Sequence, residues 1–363
     1  MKPPSNTPRL FTRREAIGRL GGGFGALGLA GALGHANLLA SPLAHFAPRA
    51  KRVIFLFMNG APSHVDTFDP KPALAKHEGQ MPEEQTARKK KSSGFMPSPF
   101  AFSAHGQSGV VMSELFPNLA KHADDLCVIR SMHTDQPNHE PGLLIMHSGN
   151  AQPIRPSLGS WVSYGLGSEN RNLPSYVALS AGRPVVGPQL WSNGFLPGEH
   201  QATAVDTNDM AVDKLIANLR HPHLTRTNQR RQLDLVAALN KIHLAQREHE
   251  AKLDTQIQAM ELAYSMQAEA SEAFDIGRET KTTRTAYGSG QFADGCLIAR
   301  RLVERGVRMV QLFYGSGQPW DAHGNIMDHR RDAGKSAQPI AALLKDLKAR
   351  GLLEETLVIW GGE

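Results

Sequence analysis

The sequence predicts an α/β fold with a mostly parallel central sheet and helices on both faces. Apolar runs of strand length alternate with segments of helical period, and polar side chains follow several runs directly. Residues 53–58, VIFLFM, are apolar without alternation, which is typical of a strand buried on both faces. This run breaks into a turn that contains Asn59, Ser63, His64, Asp66 and Asp69. Ligands of parallel sheets bind beyond such strand ends, although an Asx-rich solvated turn is the alternative.

The composition is that of a globular protein with one large domain or two smaller ones. The chain has 363 residues, of which 40% are apolar and 20% charged, and its formal net charge is +6. Basic residues cluster only at 88–91 and 226–231, without interleaved aromatic residues, so we expect no nucleic-acid partner. Cys127 and Cys296 lie in apolar stretches, which predicts two buried free thiols, with a disulfide as the alternative.

Residues 1–47 are predicted to be a Tat export signal and a linker. Arg13 and Arg14 precede an uncharged segment rich in Gly, Ala and Leu, residues 20–33. This segment is too short and too rich in glycine for a stable membrane span, and a short amphipathic helix is the alternative. We therefore expect a periplasmic or extracellular protein whose folded domain covers residues 48–363.

The first half of that domain is predicted to alternate between strands, helices and one insertion. A loop insertion is expected at 70–108, a short helix at 114–122 and a second buried strand at 125–131. A helix then opens at His139 or Glu140, and its free N–H groups favour an anionic ligand. A helix at 156–164 and a strand at 175–179 follow.

The second half begins with a long helical segment at about 209–275, predicted as two or more helices that meet near His221-Pro222 and elsewhere. A surface helical layer is expected there, with a coiled-coil interface to a partner as the alternative. The remaining elements are predicted as a helix at 292–305, a strand at 306–313, a helix at 328–349 and a strand at 356–360. No internal repeat of 20 to 50 residues is visible.

Ligand-type side chains follow three of the predicted strands. They are Asn59 and Asp66 after the first strand, Asp321 and His323 after the strand at 306–313, and Glu363 after the last. Oxygen and imidazole donors that meet at strand ends would suit a divalent ion, namely zinc, calcium or manganese. Taken alone, the Asp-x-His pair has a hydrogen-bonded turn as its alternative.

Four motifs together resemble a known family. They are VIFLFMNGAPSHVDTFDPKP, NHEPGLLIMHSGN, GVRMVQLFYGSGQPWDAHGN and TLVIWGGE. The set is similar to an exported, sulfatase-like family of unknown function in the alkaline phosphatase superfamily. This resemblance implies an alkaline-phosphatase-like α/β sandwich. It also implies that the chain is truncated and lacks C-terminal sheet elements of longer relatives.

The same resemblance implies roles for individual residues. Asp321, His323 and Glu363 correspond to metal ligands, and Asn59 stands where the superfamily places a metal-binding Asp. His139 and Asn138 occupy the place of the sulfatase nucleophile and would position an anion, since no Cys, Ser or Thr stands there.

Two functions follow from the site and the resemblance. The first is an exported metal-dependent hydrolase of sulfate or phosphate esters, with an anionic ester or a polysaccharide as substrate. The alternative is an exported, non-catalytic binding or assembly protein with a degenerate site.

Overall fold

The computed structural model of the chain describes residues 46–81, 94–211, 215, 223–246 and 251–363. Three predictions therefore lie wholly or largely outside the described residues: the Tat signal, the basic cluster at 88–91 and the helix junction at His221-Pro222. Within the described ranges, no helix combines the length and the apolar character that a membrane crossing requires.

The described residues form seven strands and nine α-helices. The strands are β1 Arg52–Met58, β2 Phe102–His105, β3 Val110–Ser113, β4 Tyr176–Ser180, β5 Thr203–Asp206, β6 Met309–Tyr314 and β7 Thr356–Gly362. The helices are α1 His64–Thr67, α2 Ala73–Lys76, α3 His139–Ser148, α4 Leu158–Leu166, α5 Arg226–Gln246, α6 Ala251–Phe274, α7 Lys281–Tyr287, α8 Gln291–Glu304 and α9 Asp328–Ala349.

Five strands build one parallel sheet in the order β5-β4-β6-β1-β7, and β2 and β3 form a separate antiparallel hairpin. The prediction of an α/β fold with a mostly parallel sheet is thus confirmed. β1 lies between β6 and β7, and all of its residues from Val53 to Met58 are buried. An uninterrupted apolar run suits this inner position, because both faces of the strand are covered.

Helices cover both faces of the sheet. Phe55 and Phe57 of β1 point into a cluster that includes Leu143 of α3 and Val162 of α4. The alternate residues, such as Leu56, point into a larger cluster on the opposite face, which α8 and α9 supply with buried aliphatic side chains. The alternation of side chains along one strand therefore holds α3 on one face and α9 on the other.

The α3 side of the core contains a fully buried imidazole. His147 is 3% exposed and packs against three aromatic rings, the nearest being Phe57 at 4.4 Å between ring centroids. Its Nδ1 donates to the carbonyl of Leu143 at 2.7 Å, while Nε2 has no partner among the described residues. Burial lowers the pKa of His147 from 6.5 to about 4, so the ring is neutral at pH 7.

We expect acid to destabilise the protein through His147. Between pH 6.5 and about 4 the unfolded chain binds a proton that the folded chain does not. The free energy of unfolding therefore falls as the pH falls, by about 3 kcal/mol across this window. His147→Leu should remove that dependence, as measured by urea unfolding at pH 7.5 and pH 4.5. The exposed His77→Gln variant is the control and should lose as much stability between the two pH values as the wild type. An equal loss in all three proteins would show that His147 is not the group responsible.

Four sequence predictions in the first half of the domain were wrong or incomplete. Residues 126–129 form no strand; Leu126 and Val128 pack against the larger core cluster, while Cys127 and Ile129 are exposed. Core packing of Leu126 and Val128 needs no strand pairing. Cys127 is exposed and is not the buried thiol we predicted, whereas Cys296 is buried. The helix predicted at 114–122 is a 3-10 helix at Leu119–Asp125, and the insertion contains α2 and β2.

The helical segment predicted at 209–275 is present in its described part as α5 and α6. An ion pair connects the two helices: both terminal guanidinium nitrogens of Arg230 donate to the carboxylate oxygens of Glu261 at 2.6 Å. Three apolar residues of α5 remain exposed: Leu235, Leu239 and Ile242. A coiled-coil interface therefore stays a prediction.

Candidate metal centre

Three neighbouring strands end at one edge of the sheet. Because β6, β1 and β7 are parallel, Tyr314, Met58 and Gly362 pair in register at their carboxyl ends. The residues that follow them, including Asp321 and Glu363, are therefore brought to the same edge although they are far apart in sequence. The N-terminus of α3 reaches this edge from the face of the sheet.

His139, the first residue of α3, lies between two carboxylates. Its Nε2 is 3.1 Å from Oδ2 of Asp321, and its Nδ1 is 3.3 Å from Oε2 of Glu363. All three side chains are partly buried. The positive end of the α3 dipole lies beside the two acidic groups.

His323 completes a group that can hold a metal ion. Its Nε2 is 2.8 Å from Oδ2 of Asp321, and ligand atoms of His139, Asp321 and His323 all lie within 4.8 Å of one another. Two imidazoles and one carboxylate are a donor set that suits zinc and related transition metals. The His323 side chain is 83% exposed, so the centre opens towards solvent.

Glu363 stands behind His139 and outside this three-residue group. Its carboxylate faces Nδ1 and so holds Nε2 towards Asp321, the arrangement in which carboxylates orient metal-binding histidines. Burial raises the pKa of Glu363 above its ordinary value; Asp321 adds to this effect, and His139 opposes it. Glu363 therefore contacts the candidate ligand His139 directly, and its own role as a ligand stays a prediction.

A glycine in α3 makes room for the Glu363 side chain. A Cβ atom at Gly142 would lie 2.5 Å from Oε1 of Glu363. Gly142 is buried in the helix, where glycine is unfavourable by roughly 0.5–1 kcal/mol relative to alanine. Its presence is therefore explained by the carboxylate and not by the helix.

Gly142→Ala should separate stability from metal binding. The added methyl group should favour the helix but displace Glu363, weakening zinc binding by about 10-fold to 100-fold. Gly334→Ala in α9 is the matched control, because a Cβ there meets nothing within 4 Å. Titration calorimetry with Zn²⁺ and urea unfolding measure both effects. Equal zinc affinity in the two variants would contradict the role of Glu363.

Asn59, a predicted ligand, fastens strand ends together. Its side-chain Nδ2 donates to the backbone carbonyls of Tyr314 and Gly315 at 3.1 and 3.0 Å. The backbone carbonyl of Asn59 accepts from the backbone amide of Trp320 at 3.0 Å. Asn59 is buried, and its side-chain oxygen Oδ1 has no hydrogen-bond partner among the described residues, so its role as a ligand stays a prediction. Asn59 therefore positions the loop that carries Asp321.

Asp66 and Asn138, two further predicted site residues, also lie outside the metal group. Asp66 is buried and accepts a 2.5 Å hydrogen bond from the hydroxyl of Ser63. Asn138 is exposed and is the N-cap of α3, but its side chain makes no capping hydrogen bond.

A cavity of about 250 Å³ adjoins the metal group. Its lining includes Ser63, Trp320, Asp321, His323, Ile326 and His329. The sequence analysis named Ser63 only among the polar residues of its turn and missed His329. Nothing in the sequence near His329 indicates a site, because it lies in the first turn of an ordinary amphipathic helix.

Fold and site together define an α/β protein with a candidate metal centre at the carboxyl edge of a parallel sheet. A scan against protein families matches residues 50–363 to DUF1501, described as a protein of unknown function. The match covers most of the chain, which therefore belongs to this family. A search of curated proteins and a search of solved structures each found no match.

The family match corrects the predicted resemblance. No sulfatase or alkaline phosphatase family matches the chain, so the assignment to a sulfatase-like family was wrong. Three of its four motifs are strand ends followed by glycine and polar residues, and the fourth, NHEPGLLIMHSGN, forms α3. Parallel sheets with a ligand site share such a pattern whatever their family, since sites are built on folds of many lineages.

Proposed function

We propose that this chain is an exported metal-dependent hydrolase that acts on sulfate or phosphate esters. The observation that carries the proposal is the convergence of His139, Asp321 and His323 within the reach of one ion. Export rests on the twin arginine of the leader. The proposed activity does not require an alkaline-phosphatase-like sandwich, because the metal group lies at the ends of the parallel strands described above.

The donor set favours zinc or manganese over calcium. Calcium takes six to eight oxygen ligands, whereas two of the three donors here are imidazole nitrogens. When bound, such an ion lowers the pKa of water and polarises an ester oxygen.

Charge explains why an anionic ester would need the metal. Asp321 and Glu363 place two carboxylates beside His139. These groups repel an anion in the metal-free protein, and a divalent cation balances their charge. The open side at His323 gives an ester access to the cavity next to the centre. We therefore expect phosphate and sulfate esters to bind only after the metal.

The test uses the full chain, stripped of metal and then titrated with Zn²⁺ or Mn²⁺. One bound ion per chain and hydrolysis of p-nitrophenyl sulfate or p-nitrophenyl phosphate are the expected results. Binding of an ion without hydrolysis of either ester would overturn the hydrolase proposal and favour a non-catalytic binding protein. Absence of stoichiometric binding would overturn the metal centre itself.

A further inference from the structure

A second group of polar side chains faces the cavity beside the metal centre. It consists of Ser63, Asp66 and His329. Ser63 and His329 line the cavity together with Asp321 and His323, while Asp66 lies directly behind Ser63. The metal centre uses none of the three residues in this second group.

The hydroxyl of Ser63 is not used for its usual local purpose. Ser63 is the N-cap of α1, and Ser63-x-x-Asp66 has the spacing of a capping box. Neither capping bond is made: the hydroxyl donates to the Asp66 carboxylate at 2.5 Å, and the Ser63 amide donates to Nε2 of His329 at 2.8 Å. Ser63 therefore lines the cavity, and its hydroxyl is held by a buried carboxylate.

The Asp66 carboxylate is buried with unusually little support. It is 4% exposed; Oδ2 accepts from Ser63, and Oδ1 has no hydrogen-bond partner among the described residues. The nearby cations Lys71 and Arg130 pair with Asp69 instead. Burying a carboxylate with one hydrogen bond is costly, and the Ser63 hydroxyl is the one hydrogen-bond partner that the described residues give it.

His329 holds the backbone of Ser63 through one of its ring nitrogens. Because its Nε2 accepts the Ser63 amide, the proton of the neutral ring is on Nδ1. This Nδ1 is buried and has no partner among the described residues. The ring is held edge to face against Trp320, at 5.2 Å between centroids.

We propose that Ser63 is the nucleophile of the reaction and Asp66 its general base. This inference rests on the proposed hydrolase function. The Ser63 oxygen attacks the phosphorus or sulfur atom of the ester and forms a covalent bond to it, while the hydroxyl proton passes to Asp66. The bond from that atom to the alcohol oxygen breaks, and the alcohol leaves with the electron pair and takes a proton from water.

Water completes the cycle. It attacks the phosphoryl or sulfuryl group on Ser63, the bond to the serine oxygen breaks, and the serine regains its proton from Asp66. The attacking water gives up one proton, which neutralises the hydroxide left when the alcohol was protonated. The products are the alcohol and inorganic phosphate or sulfate. The reaction needs no oxidant or reductant, because every step transfers only a group or a proton.

The test looks for the covalent intermediate in the zinc-loaded full chain. The protein is mixed with p-nitrophenyl phosphate or p-nitrophenyl sulfate, quenched in acid and analysed by peptide mass spectrometry. A phosphoryl or sulfuryl group on Ser63 is expected with the ester that is turned over. Ser63→Ala should lower turnover by at least about 100-fold with zinc affinity unchanged.

Two further variants make the result specific. Ser316→Ala changes an exposed serine after β6, outside the cavity, and should keep wild-type turnover. Asp66→Asn should slow formation of the adduct, which tests the base even if Ser63→Ala folds poorly.

The outcomes separate the two proposals. Wild-type turnover in Ser63→Ala overturns the nucleophile and leaves the hydrolase intact. Loss of turnover in that variant without an adduct in the wild type overturns the covalent step. A wild-type chain that binds zinc and hydrolyses neither ester overturns the hydrolase and this inference with it.

Discussion

Asp321→Asn should abolish zinc binding at the sheet edge while leaving the metal-free protein folded. Asp321 is the shared partner of His139 and His323, with contacts of 3.1 and 2.8 Å. The amide removes the only carboxylate of the three-residue group, and we expect the affinity to fall by at least about 100-fold. Hydrolysis of either test ester should fall with it.

Stability without metal should not fall in the same variant. Asp321 raises the pKa of Glu363, which means that the two carboxylates repel each other in the absence of a cation. Removing one of them relieves this repulsion, so the metal-free melting temperature should stay the same or rise slightly. The increase that zinc causes in the wild type should be lost, because only the folded state of the wild type binds the ion.

Glu140→Gln is the matched control for that variant. Glu140 follows His139 directly, is exposed and carries the same charge at the same edge of the sheet. Its zinc affinity should stay close to that of the wild type. If both variants lose affinity equally, general electrostatics explains the binding and the assigned ligand set is wrong.

The second large effect is expected for Gly60→Ala. Gly60 follows Asn59 with φ +88°, and a Cβ atom there would lie 2.6 Å from the backbone nitrogen of Asp321. The side chain would have to push the Asp321 loop away from β1. We expect a loss of about 2–4 kcal/mol in the free energy of unfolding and a large loss of zinc affinity.

Gly317→Ala separates backbone strain from collision in this experiment. Gly317 lies in the same loop with φ +66°, but a Cβ atom there meets nothing within 4 Å. Gly317→Ala should lower the free energy of unfolding by only about 1–2 kcal/mol, because alanine is disfavoured in the left-handed backbone conformation. Urea unfolding and zinc titration of both variants measure the difference; equal zinc affinities would show that the Gly60 contact does not position Asp321.

The sequence was informative where one property dominates an element. β1 is apolar on both faces, so its position inside a parallel sheet followed from its composition alone. The helix predicted at 328–349 has the same bounds as α9, because it is long and strongly amphipathic. The strand ends at Asn59, Asp321 and Glu363 could be placed at one edge for the same reason.

The sequence was misleading where short segments depend on tertiary contacts. Residues 125–131 look like a strand, yet they pack on the core without pairing. β5 was missed because Thr203–Asp206 is a short edge strand with only Val205 buried. The partner roles of His139, Ser63 and His329 depend on which ring nitrogen or hydroxyl faces which carboxylate, and spacing in the chain carries no information on this.

The helix that carries His139 is held in the core by the buried side chain of His147, and protonating this imidazole lowers the stability of the fold. His147 lies eight residues further along α3, about 12 Å away at 1.5 Å per residue. Any change that moves His147 out of its aromatic surroundings must also shift the N-terminus of α3, where His139 lies. Metal affinity should therefore respond to repacking beneath the helix, so that mutations distant from the ion can tune its retention.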